Sequence, residues 1–132
     1  MPDVKLYEQS IAAVPAESTH TQGRIKRWLL QKVDFPDGCA INNSIIEVEA
    51  GTSADKHTHP GVEIGYVLGG EFDLVVEGKP VQHLKPGGWY AIPVGAVHYA
   101  KVPGPESLKV LCFFVADKAA PLATVTGPAP PP

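Results

Sequence analysis

Along the chain, apolar residues recur at every second position in short runs, and the runs are cut by glycine and proline. In 71–77, Phe72, Leu74 and Val76 fall on one side and Glu71 and Asp73 on the other, the period-two pattern of a half-buried strand. In 108–115, Leu108, Val110, Cys112 and Phe114 alternate with Lys109, Leu111 and Phe113. The pattern predicts strands over 24–33, 39–49, 56–59, 62–68, 71–77, 81–84, 89–92, 97–102 and 108–115. Between them stand Pro36-Asp37-Gly38, Pro60-Gly61, Gly69-Gly70, Pro86-Gly87-Gly88 and Pro103-Gly104-Pro105, where glycine supplies positive φ and proline a pre-set φ. A helical period shows only weakly, around 7–13. Regularly spaced short strands predict an all-β chain, an antiparallel sandwich or barrel.

Some of these strands are apolar on both faces. Leu111 and Phe113 oppose the core set of 108–115, and Ile64 and Tyr66 oppose Glu63 and Gly65. Such a face is too apolar for free solvent, so a second subunit is expected to cover it, as a homodimer. The end of the chain is different: four of the six residues in 127–132 are proline, and 119–132 is expected to be an extended, mobile tail.

Composition narrows the class. At 132 residues the chain is one domain, able to bury roughly two-thirds of its unfolded surface without disulfides. A hydrophobic share of 44% excludes a disordered chain, and no stretch is long and apolar enough for a membrane span. Eleven basic against fourteen acidic residues give a net charge of -3, which disfavours a nucleic-acid partner. The densest basic stretch, Arg24, Lys26 and Arg27, adjoins Trp28, Leu29 and Leu30 and reads as a solvated strand face. Cys39 and Cys112 lack CxxC spacing and read as free thiols. The first 16 residues contain neither a basic start nor an apolar run, so a cytoplasmic location is expected and the Asn42-Asn43-Ser44 sequon reads as unused.

The chemistry concentrates near the middle. His57 and His59, two apart on a strand, project from one face; Pro60-Gly61 reverses the chain, and Glu63 returns toward them. His98 follows a second turn, Pro93-Val94-Gly95. Three imidazoles and a carboxylate would hold one divalent first-row metal and leave up to two of six octahedral positions open. Donors of this kind suit iron, manganese, nickel, cobalt, copper or zinc, and the ligand set does not choose among them. Glu63 has a second possible role as general base. His20 and His83 have no partner at ligand spacing and read as surface residues.

These residues resemble the cupin superfamily of small β-barrels. Gly51, His57, His59, Glu63 and Gly70 reproduce the spacing of its first motif over 51–70 without a mismatch. Gly87, Pro93, Gly95 and His98 reproduce the second over 87–102, except that Val102 stands where the family pattern has Asn. The first motif would arise by accident in roughly one shuffled chain in ten thousand. The resemblance implies a single-domain antiparallel β-barrel of the double-stranded β-helix or jelly-roll type over 24–118, preceded by an N-terminal arm over 1–23. It also implies a metal at His57, His59, Glu63 and His98. The family includes dioxygenases, decarboxylases, isomerases, lyases, sugar binders and seed storage proteins, so fold alone does not select a function. The expectation is a mononuclear metal-dependent oxidoreductase of dioxygenase type, with manganese or iron favoured, acting on a small organic molecule. The alternatives are a metal-dependent lyase, decarboxylase or isomerase, and a non-catalytic module that binds a small molecule. Phe72 is the first candidate for the pocket. Trp89 and Tyr90 are adjacent, so one of them points inward, and Asn43 and Ile45 share a face that could reach the cavity.

Overall fold

The computed structural model describes residues 17–35 and 37–132. The weak helical period at 7–13 and most of the expected arm over 1–23 lie outside the described residues.

Among the described residues the chain forms strands and no helix. The strands are β1 (His20–Gln22), β2 (Ile25–Asp34), β3 (Cys39–Val48), β4 (Thr52–Ser53), β5 (Lys56–Thr58) and β6 (Gly61–Gly69). They continue with β7 (Phe72–Val76), β8 (Gln82–Leu84), β9 (Trp89–Ile92), β10 (His98–Val102), β11 (Leu108–Asp117) and β12 (Thr124–Gly127). One sheet runs β1-β2-β3-β11-β6-β9, and the other runs β12-β5-β10-β7-β8 with β4 on the flank of β10. Every pairing is antiparallel. The expected barrel is therefore two facing sheets that are not hydrogen-bonded into a closed cylinder. Short connections join strands of opposite sheets, which gives the jelly-roll form.

Parity places the core. Phe72, Leu74 and Val76 from β7 meet Leu108, Val110, Cys112 and Phe114 from β11, all buried between the sheets. Val67 of β6 and Val102 of β10, both fully buried, close the layer. Val102 packs as core at the position where the family pattern has Asn, and its carbonyl accepts the N–H of Gly51 at 2.7 Å. On the outer face of the first sheet, Ile64 and Tyr66 are each 47% exposed and Trp89 is 77% exposed. No helix among the described residues is long and apolar enough to cross a membrane.

Part of the segment expected as a mobile tail is paired backbone. β12 lies antiparallel to β5, with Thr124 opposite Thr58 and Val125 opposite His57. Proline density marks where backbone donors are missing, but the prolines flank Thr124–Gly127 and leave its ladder intact. Deleting 119–132 should lower the thermal unfolding midpoint by about 5 °C or more, since the ladder of β5 would lose one partner. An unchanged midpoint by calorimetry would return the segment to the status of an appendage.

Candidate metal centre

The three histidines come from one sheet and the carboxylate from the other. His57 in β5 and His98 at the start of β10 stand directly opposite in the ladder, with ring centroids 4.2 Å apart. His59 lies just beyond β5 on the same side as His57, its ring 4.8 Å from that of His57 and 4.9 Å from that of His98. Glu63 occupies β6, opposite Phe114 on one side and Ile92 on the other. Among the bonds that tie the two sequence motifs, one reaches the site itself: Gly95, at φ 72°, donates its N–H to the carbonyl of His59 at 3.0 Å. A residue with a side chain rarely adopts that backbone conformation.

Each imidazole is oriented by a backbone carbonyl. Nδ1 lies 2.6 Å from Asp55 O in His57, 2.7 Å from Leu122 O in His59 and 2.9 Å from Ala96 O in His98. A carbonyl only accepts, so Nδ1 carries the proton and a neutral ring presents Nε2 as a bare lone pair. The ligand atoms of the three rings lie within 4.8 Å of one another. Nε2 of His59 and of His98 are buried without a hydrogen-bond partner. Glu63 Oε1 approaches them at 3.0 and 3.7 Å. Lone pairs converging on a carboxylate oxygen repel unless a cation or a proton lies among them, so this donor set fits a divalent metal.

Electrostatics leave His57 neutral and Glu63 ionised. Burial, followed by the neighbouring His98, pulls His57 down to about 4 against its bond to Asp55, so it is neutral at pH 7. Burial raises the Glu63 carboxyl, yet His59, His98 and Tyr90 together outweigh it and hold the group well below the usual carboxylate range. Tyr90 donates its hydroxyl to Glu63 Oε2 at 2.6 Å. Burial and the Glu63 charge push that hydroxyl well above its ordinary value, so it stays protonated. The Cys112 thiol, 3.4 Å from the Tyr90 oxygen, is likewise pushed up by burial and Glu63 and stays a thiol.

A cavity of about 350 Å³ opens onto this cluster, walled by Ile46, Val48, Phe72, Leu74, Ile92 and Val110. Phe72 and Tyr90 face it; Trp89, Asn43 and Ile45 do not. Trp89 pairs with Tyr66, Ile45 with Leu111 and Asn43 with Phe113, all on the outer side of the first sheet. The inward residues are their sequence neighbours Tyr90, Ile46 and Ser44. The basic stretch also divides: Lys26 is exposed, whereas Arg27 shares the inner side with its partner Ile46 and lines the cavity rather than a solvated face. His83 is exposed and paired with Asp73 at 2.7 Å and Glu71 at 2.8 Å, away from the cavity.

Tyr90 depends on a glycine that the spacing alone did not single out. Gly65 stands opposite Tyr90 in the ladder, and a Cβ there would overlap the Tyr90 ring. Gly65→Ala should therefore displace the ring that steadies Glu63 and destabilise the chain by about 1–3 kcal/mol. Gly69→Ala, whose Cβ would meet nothing, should cost far less. Thermal unfolding of the two variants side by side checks this.

Comparisons with known proteins agree with the fold. The model of the cupin domain family Cupin_2 matches residues 44–114. Among solved structures, the DMSP lyase DddQ from Ruegeria pomeroyi DSS-3 is similar at TM-score 0.68 and 23% identity, over 81% of this chain and 54% of that one. An oxalate decarboxylase from Lactobacillus farciminis, solved as a formate complex, is similar at TM-score 0.65 and 24% identity, over 81% of this chain and 32% of that one. This chain thus spans about half of the lyase and a third of the decarboxylase. A Klebsiella pneumoniae protein with a double-stranded beta-helix domain is similar at TM-score 0.64 and 23% identity, over 87% of this chain and 95% of that one. No curated protein sequence matches the chain.

Proposed function

The chain belongs to the cupin domain family, and from that membership we propose that it is a metal-dependent enzyme acting on a small organic molecule in the cavity between its sheets. The observation that carries this reading is the convergence of three imidazoles on an ionised, buried carboxylate. His57, His59, Glu63 and His98 would hold one divalent transition metal, manganese or iron before nickel, cobalt, copper or zinc. Bound there, such an ion supplies Lewis acidity and, where redox-active, electron transfer to dioxygen.

The chain's own residues supply position and dryness. The carbonyls of Asp55, Leu122 and Ala96 fix the three rings, and Tyr90 fixes the Glu63 carboxylate. Apolar walls exclude water around a substrate, which strengthens every charge interaction inside. We propose chemistry of dioxygenase type. A lyase or decarboxylase is the second reading, favoured by the protonated Tyr90 hydroxyl on the cavity wall, held 2.6 Å from an ionised carboxylate. That pair can pass a proton to or from a substrate, as eliminations and decarboxylations require. The activities named for the lyase and decarboxylase neighbours also support this second reading.

Elemental analysis of the purified protein should find about one transition metal per chain. His57→Ala and His98→Ala should each lose it while keeping a strand-rich circular dichroism spectrum. Unchanged metal content in both would reject the ligand set, and a wild type that refuses all metals would leave a binding module. Oxygen uptake with the loaded protein separates the first reading from the second.

We also infer a homodimer, from the apolar outer face that carries Ile64, Tyr66, Leu68, Phe113 and Trp89. Sedimentation at micromolar concentration should give twice the 14.0 kDa mass of one chain, and a single-chain mass would reject the dimer.

A further inference from the structure

Arg27 has a place in the cavity but no counter-ion there. Its Nε is buried without a hydrogen-bond partner, and no carboxylate among the described residues pairs with it. The guanidinium lies over the Phe114 ring, 5.4 Å from its centroid, which holds the plane and leaves the N–H edge uncommitted. Phe114 in turn packs against His59, ring centroids 4.8 Å apart. The cation and the metal cluster are thus separated by one aromatic ring. Arg27 also borders a second hollow of about 310 Å³ with His20, Ile25, Leu122 and Ala123, so its charged end stands where the cavity meets that hollow.

Other charges at the cavity are already committed or peripheral. Arg24 pairs with Glu49 at 3.1 Å and donates to the carbonyl of Ala50. Glu63 is engaged by Tyr90 and the histidines, and Asp55 is exposed at the edge. A half-buried guanidinium without an anion is a costly thing for a fold to keep, and its planar fork matches a carboxylate.

We propose that Arg27 anchors a carboxylate of the substrate, so that the cavity takes a small organic acid. The carboxylate would sit at the Arg27 edge, the apolar body would lie along Ile46, Leu74 and Val110, and the reacting end would face the histidines. Arg27 is then a specificity-determining residue rather than a participant in bond breaking. The assignment rests on the reading of the cavity as a substrate site.

The test uses the full chain at pH 8, both as purified and after stripping with a chelator, with benzoate and butyrate as probes and benzamide and butyramide as their uncharged counterparts. Isothermal titration of the stripped protein should show each acid binding at least about tenfold tighter than its amide. Arg27→Gln should weaken the acids about 10- to 100-fold and leave the amides unchanged, while Arg27→Lys should restore part of the preference. Wild-type circular dichroism and metal content in both variants would show that fold and cluster are intact. Amides binding as well as acids, full affinity in Arg27→Gln, or no binding of either acid would each overturn the proposal. A wild type that holds no metal as purified and takes none up on reconstitution, yet binds benzoate through Arg27, would remove the enzyme reading and leave the anion site standing.

Discussion

The central constraint is the convergence of three imidazole lone pairs and one carboxylate inside a protein interior. Among the described residues the rings direct their Nδ1 protons outward to Asp55, Leu122 and Ala96, and the buried Nε2 atoms of His59 and His98 are left without hydrogen-bond partners. The arrangement is stable only if the surrounding backbone over-determines it. Two sheets do this by facing each other, one offering His57 and His98 across a ladder and the other offering Glu63 between β9 and β11. Any change in the relative position of the sheets would separate donors from carboxylate, so the apolar core that fixes the sheets also fixes the candidate metal site.

That dependence explains why residues far apart in sequence act on one carboxylate. Gly65 makes room for the Tyr90 ring, and Tyr90 holds Glu63. Gly95 clamps the second motif to the first through the carbonyl of His59, whose ring is held by Leu122 near the end of the chain. The terminal segment therefore contributes an orienting acceptor to the cluster and a strand beside His57. A carbonyl acceptor can come from any residue type, so composition does not reveal which segment supplies it.

Much of this was legible in the sequence because spacing converts directly into geometry. The alternation of Phe72, Leu74 and Val76 and of Leu108, Val110, Cys112 and Phe114 predicts the faces that the structure buries. His57 and His59 share a side because they are two apart, and the glycine and proline pairs predict the reversals that bring Glu63 and His98 to them. What was not legible depends on register. Parity within a strand does not say which face is inner when both faces are apolar, which is why Asn43, Ile45 and Trp89 lie outside the cavity and Ile46 and Tyr90 inside it. The same ambiguity hid Arg27, whose basic neighbours suggest solvent while its partner Ile46 faces the interior. The short strands His20–Gln22, Thr52–Ser53 and Thr124–Gly127 have no alternation of their own, since two to four residues are too few to show a period.

The first sheet inverts the usual arrangement of a half-exposed sheet. Its inner face carries Glu63, Arg27 and Ser44 among the core residues, while its outer face presents Ile64, Tyr66, Leu68 and Trp89. Burying ionisable groups opposes folding, and exposing apolar ones forgoes a gain that burial would bring. In the proposed metal-loaded dimer, each cost would be offset from outside a single bare subunit. On the inside, a cation among the imidazoles and an anion at Arg27 would neutralise opposite ends of one cavity, with the Phe114 ring between them. On the outside, a matching apolar face would remove the exposed side chains from water. Under those proposals the inner and outer departures from ordinary patterning would share one physical reading, in which bound ions inside and a second subunit outside offset the costs of the same sheet.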